Sequence, residues 1–534
     1  MDSTQDPAPS AGSFRFSSEI IMHIIRFLGP KDILSMRKAC RMMHRVTKYR
    51  VVWLEALERV CEEYGIFKPT FPMEEMSLLE LEHASTGPTR FLNGVKRYQP
   101  EEFVRPYLTR MPQLCRTRNS HDRSSDILHL VPGGRFLFTS GVNLNTVCLF
   151  DLGYNMNVPV KSFPLATLEG FGDLGAVAPT KNGKGFVIAT LKLSVLSSAA
   201  QLYPAELARR TPDSRILYIH QIEPNSQPKD LKFWCIGQMD LPHGLLNFVG
   251  DMHLTSTFVF FTRNDEFVLW NWAENTGCRW DTSNELSSYT TQFYVFKDTV
   301  LACGRHEEIY VYDIPTATSL FMKDQARPVQ LNDLNSLTNE PKALFPPPRD
   351  FNGELTIKFC APSVWCEHPP HDPHICLLHA NDDSEAHDLR LYSVKPLKAP
   401  ESAFFPRSLP VPGGHMTKFY GDGYPFYVDH IFPSIFRCED ELVICTVSDQ
   451  YTLVMSILPV PSKTMLEELT PTHVVLVPAR CLMEGIELSQ FAFCPMSGRA
   501  VYFGSSDMSD DVQVADYLLP PYPSSTTAPN VAEI

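Results

Sequence analysis

FVFFTRNDEFVLWN, residues 258–271, reads as a β-hairpin. Phe258-Val259-Phe260 is a short aromatic and aliphatic strand, and Thr262-Arg263-Asn264-Asp265 is a polar turn. Phe267 to Asn271 follows the form apolar-x-apolar-aromatic-polar. Runs of this length, rich in β-branched and aromatic residues and bounded by turn residues, favour strands over helices. The pattern recurs. Further first strands are Phe136-Leu137-Phe138, Phe186-Val187-Ile188, Val300-Leu301-Ala302, Ile375-Cys376-Leu377, Leu442-Val443-Ile444 and Ala500-Val501-Tyr502. Their partners are Val147 to Asp151, Ile216 to His220, Ile309 to Asp313, Leu389 to Ser393, Thr452 to Ser456 and Val512 to Asp516.

A hairpin repeated every ~40 to 80 residues implies radially arranged four-stranded sheets, a β-propeller spanning residues 126–518. One such sheet cannot bury both faces alone; stacking between two neighbours buries both. Seven units is the best count, with six or eight open, and a pair of β-sandwiches is the competing architecture. This part resembles a WD-repeat-like propeller in architecture alone, since Trp280-Asp281 is the sole dipeptide of that signature. Ring closure is expected to pair an early strand, Ile127 to Leu130 or one just before it, with Val512 to Leu518. Insertions at Leu191–Ser214, Phe321–Arg349 and Pro396–Tyr424 read as loops, where recognition often resides.

The amino-terminal part has a different period. In FRFSSEIIMHIIRFLGPKDILSMRKACRMMHRVTKYRVVWLEAL, residues 14–57, Ile20, Ile24 and Phe27 recur at helical spacing, as do Ile21, Ile25 and Leu28. Ser17 or Ser18 caps this first helix and Gly29-Pro30 stops it. Asp32 opens a second helix through Ile33, Met36, Cys40 and Met43, and Trp53, Leu57 and Cys61 mark a third. Three helices this short cannot bury so much aliphatic surface among themselves, so they pack on the rest of the chain or present a face to a partner.

Glu19-Ile20-Ile21, Phe27-Leu28, Pro30, Asp32-Ile33-Leu34, Cys40-Arg41 and Trp53 together resemble an F-box, the module that docks a protein on the Skp adaptor of cullin-RING ubiquitin ligases. Two positions depart from the family pattern: Phe16-Ser17 replaces the opening Leu-Pro, and Met43 stands where a tryptophan is usual. Both remain large and apolar at the critical residue. The resemblance implies a mainly β protein with a small all-α F-box-like module at residues 14–61. It implies an adaptor-binding face formed or supported by Phe16, Ile20, Ile24, Leu28, Pro30, Ile33, Leu34, Cys40, Arg41 and Trp53. The implied function is a substrate receptor, its partners the Skp adaptor, the cullin scaffold and an unidentified target held by the propeller. A propeller scaffold unrelated to ubiquitin and a propeller enzyme are the alternatives.

The remaining bounds agree with an adaptor. Residues 62–125 read as a helical connector and linker, and residues 1–13 and 519–534 are too polar to pack. A net charge of -14 disfavours general binding to nucleic acid or anionic membranes. No apolar run is long enough to span a bilayer, and the first residues lack a signal-peptide pattern. Fourteen scattered cysteines are expected to be reduced and buried, in the cytoplasm or nucleus.

No catalytic elbow, phosphate-binding loop or HExxH motif is present, and no cofactor is implied. Asp265, Asp313 and Asp382 suit turns and strand ends. Cys360, Cys366, His368, His371, His374, Cys376 and His379 are zinc-ligand types, but they lack a CxxC pair, and strand alternation would divide them between two faces. They are expected to hold no metal. Lys31, Arg37, Lys38, Arg41, Arg45, Lys48 and Arg50 form a basic run that reads as a solvated face, or as a surface steering an acidic partner.

Overall fold

The structure is a computed structural model. It describes residues 16–98, 103–110 and 127–519, except 142–145, 162, 172, 194–214, 226–230, 242–251, 264–265, 282–292, 297–298, 304–308, 316–320, 323–328, 342, 346–354, 361–364, 366–373, 381–386, 397–407, 420–433, 439, 448–452, 460–471, 477–486 and 506–511. The expectations for residues 1–13 and 520–534 lie outside this set. The chain divides into two compact units, one of Met1–Val60 with Pro72–Thr86 and one of Cys61–Phe71 with Gly87–Ile534.

The first unit holds α1 (Ser18–Ile25), α2 (Pro30–Arg37), α3 (Arg41–Val46), the greater part of α4 (Arg50–Glu63) and α5 (Leu78–Ser85). Ser17 caps α1, its hydroxyl accepting from the Ile20 amide at 3.4 Å. Ser77 and Glu80 form a reciprocal capping box at α5. The single helix expected from Asp32 to Met43 is two. Cys40 is extended at φ -159° and serves as the N-cap of α3, so the chain turns there with no glycine or proline to announce it. Ile21, Ile25, Ile33, Trp53, Ala56 and Leu57 are buried.

The second unit contains seven sheets among the described residues, within the expected six to eight. Blade 1 is Ile127–Leu130, Phe136–Gly141, Thr146–Asp151 and Ala166–Glu169; blade 2 is Asp173–Pro179, Phe186–Leu193, Arg215–Ile222 and Trp234–Leu241. Blade 3 is Met252–Leu254, Phe258–Arg263, Glu266–Asn271 and Thr276–Asp281; blade 4 is Phe293–Phe296, Thr299–Cys303, Ile309–Asp313 and Ala343–Phe345. Blade 5 is Leu355–Cys360, His374–Ala380, His387–Pro396 and Ser408–Phe419; blade 6 is Ser434–Cys438, Glu441–Val447, Leu453–Pro459 and Thr472–Leu476. Blade 7 is Glu487–Cys494, Arg499–Ser505 and Val512–Asp516. Each hairpin read from sequence is the middle pair of a sheet. These strands are apolar because both of their faces are covered by neighbouring blades.

Shared cores join adjacent blades. Phe136, Phe138 and Leu149 of blade 1 pack with Phe186, Ile188 and Ile222 of blade 2. Met239 and Leu241 of blade 2 meet Val259, Phe261 and Trp270 of blade 3. Phe260, Phe267 and Trp280 of blade 3 meet Val295, Val300 and Tyr312 of blade 4. Phe67, from the segment Cys61–Phe71, inserts its ring against Phe136 at 5.9 Å and Phe186 at 4.4 Å. Part of the expected connector is thus propeller core.

The closing strand is Leu108–Arg110, which pairs antiparallel with Val514–Asp516, whereas Ile127–Leu130 lies inside blade 1. Asp516 is the hub of the closure. It accepts from Arg499 Nε at 2.6 Å and Arg110 at 2.5 Å, while Arg499 also donates to the carbonyls of Gly134 and Gly153 in blade 1. Gly134 sits at φ +75°, and a side chain there would clash with Ser497. Leu137 and Phe150 pack with Val501, Val512 and Val514 across the same seam.

Two insertions expected to be loops contribute strands. Ser408–Phe419 is the fourth strand of blade 5. In the other, Phe321–Met322 and Asn335–Leu337 join Thr276–Asp281 of blade 3, and Val329–Gln330 adds in parallel to Trp234–Leu241 of blade 2. This excursion stitches two outer edges, in the way that Phe103–Val104 and Leu108–Arg110 stitch blades 6 and 7. Strands of two or three residues are too short to show alternation. Pairing an edge also removes a template for aggregation.

Burial without an ionic partner pushes His129, His220 and His253 down to about 4. A folded pKa below the unfolded value of about 6.5 means stability is complete above pH 6.5 and is lost as pH falls toward 4. At pH 5.5 the protein should therefore be less stable than at pH 7.5, by on the order of 1 kcal/mol for each histidine. Urea unfolding at the two pH values, repeated on His129→Gln, checks this; an unchanged pH dependence in the variant would remove His129 from the account.

Candidate docking surface

The helical period of α1 splits into two stripes of opposite fate. Ile21 and Ile25 are buried, whereas Phe16 (45%), Ile20 (49%), Ile24 (40%) and Phe27 (76%) are exposed. A ridge of this kind, with members at i, i+4 and i+7, marks an interaction site better than scattered apolar residues do. Phe27 is the most exposed of the four; the sequence puts it on the helix face and in the F-box pattern but not in the adaptor-binding set. Its spacing from Ile20 and Ile24 is the signal that assigns it to the ridge. The edge of the His23 ring meets Phe27 at 5.4 Å. Met42, Tyr49 and Val51 are further exposed apolar side chains of this unit that the sequence reading did not single out.

The other residues named from sequence fall into two groups. Ile33 and Trp53 are fully buried, so they belong to the core of the module and not to its surface. The Trp53 indole donates to the Thr47 carbonyl at 2.8 Å, and the Arg37 guanidinium lies 5.3 Å above its ring. Leu28, Pro30 and Leu34 are half-buried, and Cys40 and Arg41 are exposed. Arg59 ties the turn after α1 in place by donating to the Leu28 carbonyl at 2.7 Å and to that of Arg26. The ridge is therefore held on a fixed helix.

Residues 14–55 match the F-box domain family. This segment is an F-box domain. The match covers the amino-terminal module, and the second unit is a β-propeller by its sheet pairing. No curated protein matches the chain. Among solved structures, the chain is similar to the β-propeller domain of Cps50 (Swd1) from Myceliophteria thermophila, at 12% identity and a TM-score of 0.39, covering 77% of this chain and 99% of that one. It is likewise similar to the WD40 domain of coronin from Toxoplasma gondii, at 10% identity and a TM-score of 0.39, covering 72% and 80%. The propeller assignment rests on the sheet pairing and on neither likeness.

Among the described residues no group of three or more metal-ligand types converges. The side chains of Cys360, Cys366, His368, His371, His374, Cys376 and His379 lie outside the described residues, as do Asp265 and Asp382. Cys278 is buried, which pushes its thiol up to about 12 and leaves it protonated and unreactive. Eight described cysteines are free thiols. No described helix is long and apolar enough to cross a membrane.

Proposed function

We propose that this protein is the substrate-recognition subunit of an SCF-type cullin-RING ubiquitin ligase. The F-box domain docks on the Skp adaptor, the adaptor joins the cullin scaffold, and the propeller holds a target protein. The observation that carries the reading is the exposed ridge of Phe16, Ile20, Ile24 and Phe27 on a module matching the F-box family. Apolar anchors of this size concentrate interface energy when a partner covers them.

The protein itself does no chemistry in this scheme. A target lysine held close to the charged ubiquitin-conjugating enzyme reacts at a raised effective concentration. Rigid attachment matters for that effect, and the interlocked blades provide it on the target side. The eight described cysteines are free thiols, six of them buried and Cys40 and Cys235 exposed, which suits a reducing compartment such as the cytoplasm or nucleus. Affinity purification of the full chain from cells tests the scheme: the Skp adaptor and a cullin should co-purify in near-equal amounts. A well-expressed, folded protein that recovers neither would refute it.

A further inference from the structure

The basic run between Lys31 and Arg50 separates, in the structure, into cations with a structural task and cations without one. Arg37 pairs with Glu82 at 2.8 Å, and Arg50 donates to the backbone carbonyls of Met73, Glu74 and Met76. Outside the run, Arg26 pairs with Glu55 at 2.8 Å and Arg59 satisfies the end of α1. Lys31, Lys38, Arg41, Arg45 and Lys48 remain. All five are exposed, and among the described residues none forms an ion pair.

Their placement is ordered. Arg41, Arg45 and Lys48 follow i, i+4, i+7 spacing along α3 and the turn after it, one stripe of that helix. Met42 and Tyr49, also seven apart, form an exposed apolar stripe beside it. α3 packs against both α1 and α2, so this surface belongs to the same small helical assembly as the ridge. Residues 16–60 hold nine Arg and Lys against four Asp and Glu, in a chain whose net charge is -14. A cluster of like charges repels itself and adds nothing to folding. Its physical consequence is a local positive field on an otherwise acidic protein.

We propose that the α3 stripe is the electrostatic half of the docking surface, facing a carboxylate-rich surface on the same protein partner that covers the α1 ridge. The inference rests on the docking reading above and adds the partner's chemistry to it. A polyanion such as nucleic acid meets an unfavourable net charge on the whole chain, whereas a folded partner with a local acidic patch meets the positive module first. Rim charges of this sort speed encounter more than they slow departure. The stripe therefore governs how fast the complex forms, and the apolar ridge governs how long it lasts.

The test is the association rate of the full chain with purified Skp adaptor, from about 25 to 500 mM NaCl, for wild type and for Arg45→Glu/Lys48→Glu. Both side chains are exposed, and thermal melting verifies that the variant is folded. Wild-type association should slow about tenfold or more as salt rises, and the variant should be about tenfold slower at low salt and nearly salt-independent. Dissociation rates should agree within about twofold. Equal association rates for wild type and variant at every salt, with binding intact, would overturn the proposal while leaving the docking reading in place. Retention of wild type but not variant on duplex DNA, with unchanged adaptor kinetics, would also overturn it. A wild-type chain that does not bind the adaptor at all would overturn both.

Discussion

Removing everything after Ser509 is expected to convert the protein into an aggregating or molten species, whereas removing residues 520–534 should leave its unfolding unchanged. The lost strand, Val512–Asp516, is buried along its whole length and paired on both sides, with Arg499–Phe503 and Leu108–Arg110. Val512 and Val514 belong to the seam between blades 7 and 1, and each contributes roughly 1.5–3 kcal/mol by burial. Loss of Asp516 also strands Arg499, a guanidinium only 2% exposed, without its anion. Breaking a buried pair from one side costs about 3–5 kcal/mol. Set against a total stability of about 5–15 kcal/mol, the sum leaves little. The single change Asp516→Asn isolates the ionic part and should cost about 3 kcal/mol or more in urea unfolding. A chain ending at Ser509 that melts cooperatively at the full-length temperature would show that this strand closes nothing.

The second large effect separates the docking face from the module's core. Pro30→Ala with Leu34→Ala should weaken adaptor binding by about 2 kcal/mol or more, and Ile24→Ala with Phe27→Ala by at least as much, because interface energy concentrates in a few apolar anchors. Neither pair should change the melting temperature much, since all four side chains are exposed or half-buried. Ile33→Ala and Trp53→Ala should behave oppositely. Both residues are fully buried, so truncation costs about 2–5 kcal/mol of module stability, and binding falls only as the module unfolds. Binding measured by titration, alongside circular-dichroism melts, distinguishes the groups. Wild-type affinity in the folded Ile24→Ala/Phe27→Ala variant would remove the ridge from the interface.

What could be read in the sequence follows from where each residue is buried. The middle strands of the blades, such as Phe258–Arg263 and Glu266–Asn271, are apolar along their length and visible as hairpins. Outer strands such as Ala166–Glu169 alternate weakly, and stitches such as Val329–Gln330 pair only through backbone, so no side-chain pattern reveals them. The helical module was recognisable by its spacing, but spacing alone could not separate the buried stripe of Ile21 and Ile25 from the exposed stripe of Ile20 and Ile24. Both are isoleucine pairs on neighbouring sides of one helix. Phe67 was hidden for a different reason: a single aromatic residue in a connector carries no periodicity, and its role depends on rings over 60 residues away.

The most direct measurement of the central claim is a titration of purified full-length protein with purified Skp adaptor, read by calorimetry or interferometry. The account predicts a one-to-one complex of micromolar affinity or tighter, with a negative heat-capacity change from covering the α1 ridge, and its loss in the folded Ile24→Ala/Phe27→Ala protein. A folded wild-type protein that shows no binding at adaptor concentrations of about 100 μM would contradict it.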